Sequence, residues 1–280
     1  MSATSDLSHD LQYAAELARG AGRIILEHYG KVERLTKTHA ATSDEAVTDA
    51  DRASQRFIVA GLRRRFAEDG IVGEESETGL SITFECPNPG GRNWVIDPID
   101  GTNNFIAGLG NFCVCIGLLD EGYPVLGVVY DVTRDVMYSA AQGLGAWEGS
   151  RRMRAPATPL AEASMVMFTS NLLINGRCPR WACEMLAQQV WKMRILGSAA
   201  LEAVYVAAGV AHAAITVNGK LWDVAAAAAV VLEAGGVMTD LKGKPIFPFD
   251  LVDYGGAKVP FLAAGPAAHR PLLDLIRRHP

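Results

Sequence analysis

The sequence predicts an α+β fold built as two halves, each able to carry its own sheet. Three observations lead there. Helical apolar periodicity fills residues 7–29 and 49–68. A series of short strands separated by tight turns follows between residues 93 and 147. From near Pro156 onward, helices and strands alternate. The 280 residues suffice for one large domain or two tightly packed halves, divided here as 1–155 and 156–280.

In the first helix Leu7, Leu11, Ala14, Ala18, Ala21 and Ile25 recur at helical spacing. Phe57, Ile58, Leu62 and Phe66 make the apolar side of the second, and Asp49 and Asp51 lie at its start. "GIVGEES" is read as a loop, and 80–92, with Pro87, Pro89, Gly90 and Gly91, as a loop or ragged hairpin. A short strand is expected at Asn93–Ile96. Strands at 112–119, 125–131, 136–140 and 146–147 then form an antiparallel meander turned by "DEGYP" and "DVTRD". In the second half, strands are expected at 165–169, 194–196, 213–217, 237–239 and 260–263. Helices are expected at 178–190, 223–233 and 267–278, with another that Ser198 opens and Gly209 closes.

Composition narrows the function classes. Twenty-six basic and 31 acidic residues give a net charge of -5, with no general pull toward nucleic acid or an anionic membrane. Arg151, Arg152 and Arg154 are the main basic cluster, read as solvated; an RNA-associated role resting on them alone lacks the aromatic-basic pattern such surfaces use. Five cysteines, at positions 86, 113, 115, 178 and 183, show no ladder spacing, and Cys113 and Cys115 read as small buried hydrophobes on one side of a strand. With no signal peptide pattern and no membrane-spanning stretch in the sequence, the expectation is a reducing, cytoplasmic setting.

The chemistry lies in acids at the edges of apolar elements. In "WVIDPIDGTNNF" (94–105) the apolar run meets Asp97, then Asp100. Pro98 keeps Asp97 out of helical geometry, and Asp100-Gly101-Thr102 reads as a helix entry whose amides can meet an anion. Taken alone, Asp100 is a plain helix cap. Glu74 and Glu75 in "GEES", Asp51 in "VTDAD" and Asp223 after Trp222 change that reading. Carboxylates brought together repel one another, and a cation relieves the repulsion. An oxygen-only set suits a hard divalent ion, magnesium above all. The six histidines are scattered, without HExxH spacing, and there is no Walker glycine loop. Two such ions beside a helix N-terminus are suited to phosphomonoester hydrolysis by an activated water.

"GEES" at 73–76, "DPIDGTNNF" at 97–105 and "WDVAAAAAVVLEAGG" at 222–236, with the weaker "VTDAD" at 47–51 and "GSAALEAVYVAAG" at 197–209, resemble the inositol monophosphatase family over essentially the whole chain. The resemblance implies a five-layered αβαβα sandwich of the inositol monophosphatase and fructose-1,6-bisphosphatase type. It also implies a magnesium-dependent, lithium-sensitive phosphatase with two or three ions, manganese as substitute, and a homodimer. By the same resemblance Glu74, Asp97, Asp100 and Asp223 match metal ligands, as does the Ile99 carbonyl. Asp51 and Thr102 match the pair that orients and deprotonates the attacking water. Glu75 matches an acid beside the cluster or a ligand to a further ion. Asp100, Gly101 and Thr102 match the phosphate site. The first half would then hold most ligands, and the second half Asp223 and the substrate wall.

That wall departs from the family pattern. A glutamate that receives substrate hydroxyls stands, in inositol-specific members, seven residues before the last metal aspartate; here that position is Thr216. His212 replaces an aspartate, and Ala40 stands where the usual lysine would be, with Lys37 displaced. Gly197, Ala199 and Thr216 are the candidate substrate-side residues, and Asn218 and Lys220 could reach the mouth. His212 reads as a pocket-edge histidine, and Arg194 lies near the pocket or an interface. The expected substrate is inositol monophosphate or a related sugar or polyol phosphate. Fructose 1,6-bisphosphate, adenosine 3',5'-bisphosphate and histidinol phosphate are alternatives on the same core, and a catalytically silent scaffold is the alternative of another class.

Overall fold

The structure, a computed structural model, describes residues 3–31, 49–75, 83–85, 90–174, 176–187 and 191–278. The readings of Lys37, Ala40 and Cys86 lie outside the described residues. In chain order the first half holds α1 (Ala3–His28), α2 (Asp49–Arg65), β1 (Gly70–Gly73), β2 (Thr83–Glu85), β3 (Arg92–Asp100), α3 (Thr102–Ala107), β4 (Cys113–Asp120), β5 (Tyr123–Asp131), β6 (Val136–Ala141), β7 (Gly145–Glu148) and β8 (Arg151–Arg152). The second holds β9 (Met165–Phe168), α4 (Arg180–Ala187), β10 (Lys192–Arg194), α5 (Ala199–Ala207), β11 (Ala213–Thr216), α6 (Leu221–Glu233), β12 (Val237–Thr239), β13 (Phe261–Ala264) and α7 (Pro266–Arg278).

The first eight strands form one sheet in the order β2-β1-β3-β4-β5-β6-β7-β8, and the last five a second, β10-β9-β11-β13-β12. The meander from β3 to β8 is antiparallel as expected. Strand alternation then sorts side chains into layers. Trp94, Ile96, Val114 and Ile116 face α1 and α2, packing on Ala14, Ala18, Ile25, Ile58 and Leu62. Their neighbours Val95, Cys113 and Cys115 point the other way, toward α5 and α6 and on to Met167, Ala214 and Phe261 of the second sheet. On its far face Val166, Phe168, Ile215 and Leu262 meet Trp181 and Met185 of α4 and Leu272 and Ile276 of α7. Helices, sheet, helices, sheet and helices make five layers, the expected αβαβα sandwich.

The alanine run of α6 has a packing cause. Every residue from Val224 to Val231 is buried. A Cβ on Gly127 of β5 would sit 2.1 Å from the Ala226 carbonyl oxygen. The helix backbone therefore rests directly on the sheet, and only small side chains fit the contact.

Four sequence expectations are corrected. "GIVG" is not loop: it forms β1, pairing parallel to β3 with Gly73 opposite Ile96. The strand expected to stop at Ile96 continues to Asp100, because β4 keeps pairing with it past Ile96, where β1 ends. The strand expected at 194–196 is β10, two residues earlier, and Leu196 belongs to a turn. Arg151 and Arg152, assigned no strand, form the edge strand β8. Both arginines are exposed there; Arg151 pairs with Glu148, and the Arg152 guanidinium lies 5.9 Å from the Trp147 ring centre. That is a solvated face, as read.

Candidate functional site

Asp97 pairs with Cys115 and Asp100 with Cys113, so three steps along β3 match two along β4. In an even strand, residues three apart point to opposite faces; the extra residue of this bulge turns both acids to one side. The break falls at Pro98, which has no N–H to give the ladder. The freed Ile99 amide donates to Asp97 Oδ1 at 2.9 Å.

Asp223 arrives from the other half, in the first turn of α6, where the Lys220 amide donates to its Oδ2 at 2.9 Å. One carboxylate oxygen from each of Asp97, Asp100 and Asp223 lies within 4.8 Å of the others. Glu74 follows β1, its amide donating to the Ile96 carbonyl at 3.3 Å, and its carboxyl hydrogen-bonds Asp97. Asp51, fully buried in the first turn of α2, and Glu75 both act electrostatically on Glu74. Gln55 fixes Glu75 through its backbone, accepting the Glu75 amide at 2.9 Å and donating to its carbonyl.

Asp100 does not cap its own helix. Gly101 occupies the N-cap of α3, with φ 98°, and offers no side chain. A Cβ there would lie 2.9 Å from the Asn111 carbonyl oxygen, so glycine answers both the backbone sign and the space. Asp100 instead reaches across to α5, accepting Ser198 Oγ at 2.6 Å and the Ala200 amide at 2.7 Å on Oδ2, and the Ala199 amide at 3.3 Å on Oδ1. Backbone amides hold all three aspartates, on one oxygen at Asp97 and Asp223 and on both at Asp100, and the arrangement brings the carboxylates together.

Burial is the leading cause of raised pKa throughout the cluster. Repulsion from Glu74, Asp223 and Asp100 adds to it at Asp97, and from Asp223, Asp51 and Glu75 at Glu74; both are held well above the usual carboxylate range. Asp223 is pushed up to about 7 by burial and Asp100, against the Lys220 amide bond that lowers it. Asp100 is raised by burial, opposed by its bonds to Ser198, Ala200 and Ala199. Such a set fits a hard divalent cation, which removes the repulsion and uses only oxygen donors. Cys113 and Cys115 adjoin Asp100 as well. Burial pushes both thiols up, so they stay protonated and do not suit that ion.

Beside the acids lies a cleft of about 100 Å³ lined by Asp100, Thr169, Ser170, Gly197, Ser198, Ala199, Glu202, Asn218, Gly219 and Asp223. Gly197 and Ala199 are there as expected, and Thr169 Oγ1 donates to Asn218 Oδ1 at 2.6 Å. Thr216 is not among the lining residues. It ends β11 fully buried, with no hydrogen-bond partner for its hydroxyl among the described residues. Lys220 turns its ammonium to the Gly256 carbonyl, and Arg194 is exposed. His212 is half-buried beside β9, its amide bonded to the Met165 carbonyl. Thr102 Oγ1 donates to the Ile99 carbonyl at 3.0 Å.

Three contributors escaped the sequence reading. Ser198 was visible as a cap, but not as a donor to Asp100. Glu202 Oε1 accepts the Leu196 and Gly197 amides at 2.8 and 3.2 Å. Asn104 Nδ2 ties the Asn111 and Leu196 carbonyls together at 2.8 and 2.7 Å. Ser198 and Asn104 reach segments far apart in sequence, which no local pattern pairs, whereas Glu202 bonds amides of the turn just before its own helix.

The comparisons agree with this geometry. The profile of the Inositol monophosphatase family matches residues 6–274. A protein of Thermotoga maritima named fructose-1,6-bisphosphatase/inositol-1-monophosphatase is 35% identical over 234 residues, covering 84% of this chain and 86% of the relative. A histidinol-phosphatase of Chlorobaculum parvum is 33% identical over 238 residues, covering 85% and 88%. The solved structure of the extragenic suppressor protein suhB of Bartonella henselae superposes with a TM-score of 0.83 at 29% identity, covering 96% of this chain and 99% of that one. By profile, sequence and fold alike, the chain belongs to the inositol monophosphatase family.

Proposed function

We propose that the protein hydrolyses a small phosphomonoester, an inositol monophosphate or a related sugar or polyol phosphate, in a magnesium-dependent reaction. The convergence of Asp97, Asp100 and Asp223 oxygens within 4.8 Å carries this reading, with Glu74 alongside. Family membership supports the class of reaction.

In this reading Glu74, Asp97, Asp100, Asp223 and the Ile99 carbonyl hold two or three magnesium ions, with manganese as substitute. When bound, the ions supply charge stabilisation for a phosphoryl group and lower the pKa of water. The chain's own groups do the rest. The Thr102 hydroxyl, which here donates to the Ile99 carbonyl, would turn its one hydrogen to Asp51 as its oxygen takes a proton from water, so that Asp51 ends as the protonated acid. The amides at Gly101 and Thr102 orient the phosphate, since α3 has no side-chain cap to compete. Glu75 tunes Glu74 or binds a further ion. Residues 1–155 carry most of this apparatus; residues 156–280 bring Asp223 and the wall for the alcohol.

For that wall, Thr169, Ser170, Asn218 and the backbone of Gly197 and Ala199 offer neutral hydrogen-bonding groups. Uncharged polar donors and acceptors suit hydroxyls more than a second phosphate. The test is magnesium-dependent phosphate release from inositol 1-phosphate, fructose 1,6-bisphosphate, adenosine 3',5'-bisphosphate, histidinol phosphate and glycerol 2-phosphate, with kcat/KM for each. A polyol monophosphate ahead by about tenfold or more supports the reading. A bisphosphate or histidinol phosphate in front replaces the substrate, and silence with every ester and both metals replaces the enzyme with a scaffold.

A further inference from the structure

Away from the acidic centre, Cys183 Sγ donates to Cys178 Sγ at 3.4 Å. Among the described residues the other close pair, Cys113 and Cys115 at 3.7 Å, is buried, whereas Cys178 and Cys183 are both exposed. Each arm of the exposed pair is anchored. Cys183 rides on α4, whose Trp181, Ala182 and Met185 are buried, with the Trp181 ring stacked on Phe168 at 6.2 Å. Cys178 leaves a turn closed by reciprocal bonds between Ile174 and Arg177, at 2.9 and 3.1 Å. Pro179 then stiffens the step into the helix.

We propose that Cys178 and Cys183 are a dithiol modification site that closes to an intrachain disulfide by exchange with an anionic small-molecule disulfide. A disulfide needs its sulfurs about 2.05 Å apart, so the two must approach by roughly 1.4 Å, a side-chain adjustment at an exposed position. Arg177 and Arg180 bracket Cys178 in sequence and favour an anionic reagent, while contact with Cys183 holds the Cys178 thiol above its ordinary pKa, so exchange draws on a minor thiolate fraction. The thiolate of one cysteine attacks a sulfur of the reagent RSSR and expels RS⁻. The second thiolate attacks the protein sulfur of that mixed disulfide and expels the other RS⁻. The protein loses two electrons and two protons, and RSSR leaves as two RSH. Exposed disulfides of this kind are readily reduced again, which makes the site reversible.

The experiment uses the reduced full chain, under native conditions, with oxidised glutathione at about 0.1 mM. An effective thiol concentration in the mM range makes closure outrun capture of a second glutathione by roughly tenfold. Whole-protein mass and peptide mapping are then expected to find the unaltered chain two hydrogens lighter, with positions 178 and 183 linked. Cys183→Ser halts with one glutathione on Cys178, and Cys178→Ser with one on Cys183; dithiothreitol reverses all three. Matching melting temperatures establish that the serine variants fold. Glutathione on both cysteines of the unaltered chain, a link from either to Cys86, or no reaction at either cysteine overturns the proposal. The readout is covalent mass, so it stands apart from the phosphatase reading.

Discussion

Ser198 Oγ donates to Asp100 Oδ2 at 2.6 Å, joining the start of α5 in one half to the end of β3 in the other. The same hydroxyl oxygen accepts the Leu201 amide at 3.3 Å, so one serine caps a helix and aims a carboxylate. Ser198→Ala removes the aim and leaves the three aspartates in place. Magnesium affinity is expected to fall by about tenfold to a hundredfold, with Ser198→Thr restoring most of it. Calorimetric titration checks this, and an alanine variant that binds magnesium like the parent refutes the positioning role.

Asp97 is the most repelled of the aspartates, with Glu74, Asp223 and Asp100 all raising its pKa. Asp97→Asn should therefore separate function from stability. Turnover is expected to drop by at least about a thousandfold, since charge stabilisation at the reacting group goes with it. The metal-free protein, relieved of a buried repelling acid, should melt no lower than the parent at pH 8, and the rise in Tm on adding magnesium should shrink. Near-parental activity would remove Asp97 from the proposed ligand set.

The acids also set a sign for pH. In the metal-free fold Asp223 moves from 3.8 to about 7, and Glu74 and Asp97 are also raised, so between about pH 4 and pH 7 the folded state holds more protons than the unfolded one. Stability contributed by Asp223 is full below pH 4 and declines as pH rises through that window, and the raised Glu74 and Asp97 act with the same sign. Magnesium competes with the same protons, so its stabilisation runs the other way. The Tm gain at one fixed magnesium concentration is expected to be larger at pH 8 than at pH 5.5, and equal gains at both would contradict a site made of these carboxylates.

Much of this arrangement was legible in the sequence because it is local. Alternation gave the meander, the alanine run gave close helix packing, and Asp97, Asp100, Glu74 and Asp223 announced themselves at the edges of apolar elements. The β3 bulge was not legible. Pro98 signalled a break, but whether the strand ends there or bends and continues depends on β4, which pairs with both Asp97 and Asp100 after β1 has ended at Ile96. Thr216 was placed by counting back from Asp223, and counting does not register that the end of β11 turns its side chain into the interior. Asn218 and Gly219, two and three residues later, line the cleft instead.

Gly127 tests the packing that carries Asp223. With Ala226 backbone already where a Cβ would sit, Gly127→Ala must push α6 off the sheet. Overpacking of this kind costs about 1–3 kcal/mol. A Tm lower by several degrees is expected, together with weaker magnesium binding, because Asp223 moves with the helix. An unchanged Tm would mean that the helix has room the geometry does not provide.

Glu202 offers the sharpest separation of hydrogen bonding from charge. It is fully buried on α5; Oε1 accepts the Leu196 and Gly197 amides, and Oε2 has no partner among the described residues. Burial pushes its pKa from 4.5 to about 8, against the two amide bonds that lower it. The folded state therefore prefers the neutral acid, and the stability this group contributes is full below pH 4.5 and lost as pH rises toward 8. Glu202→Gln keeps an acceptor for both amides and removes the ionisation. It should melt with the parent near pH 5 and above it at pH 8.5. Glu202→Leu leaves two half-buried amides without their acceptor, a loss of about 1–3 kcal/mol at either pH. It also frees the turn at Leu196-Gly197, so KM should rise more than kcat falls. Parallel melting curves for parent and glutamine variant across the whole range would show that Glu202 is already ionised in the fold, and that its buried oxygen has found a partner.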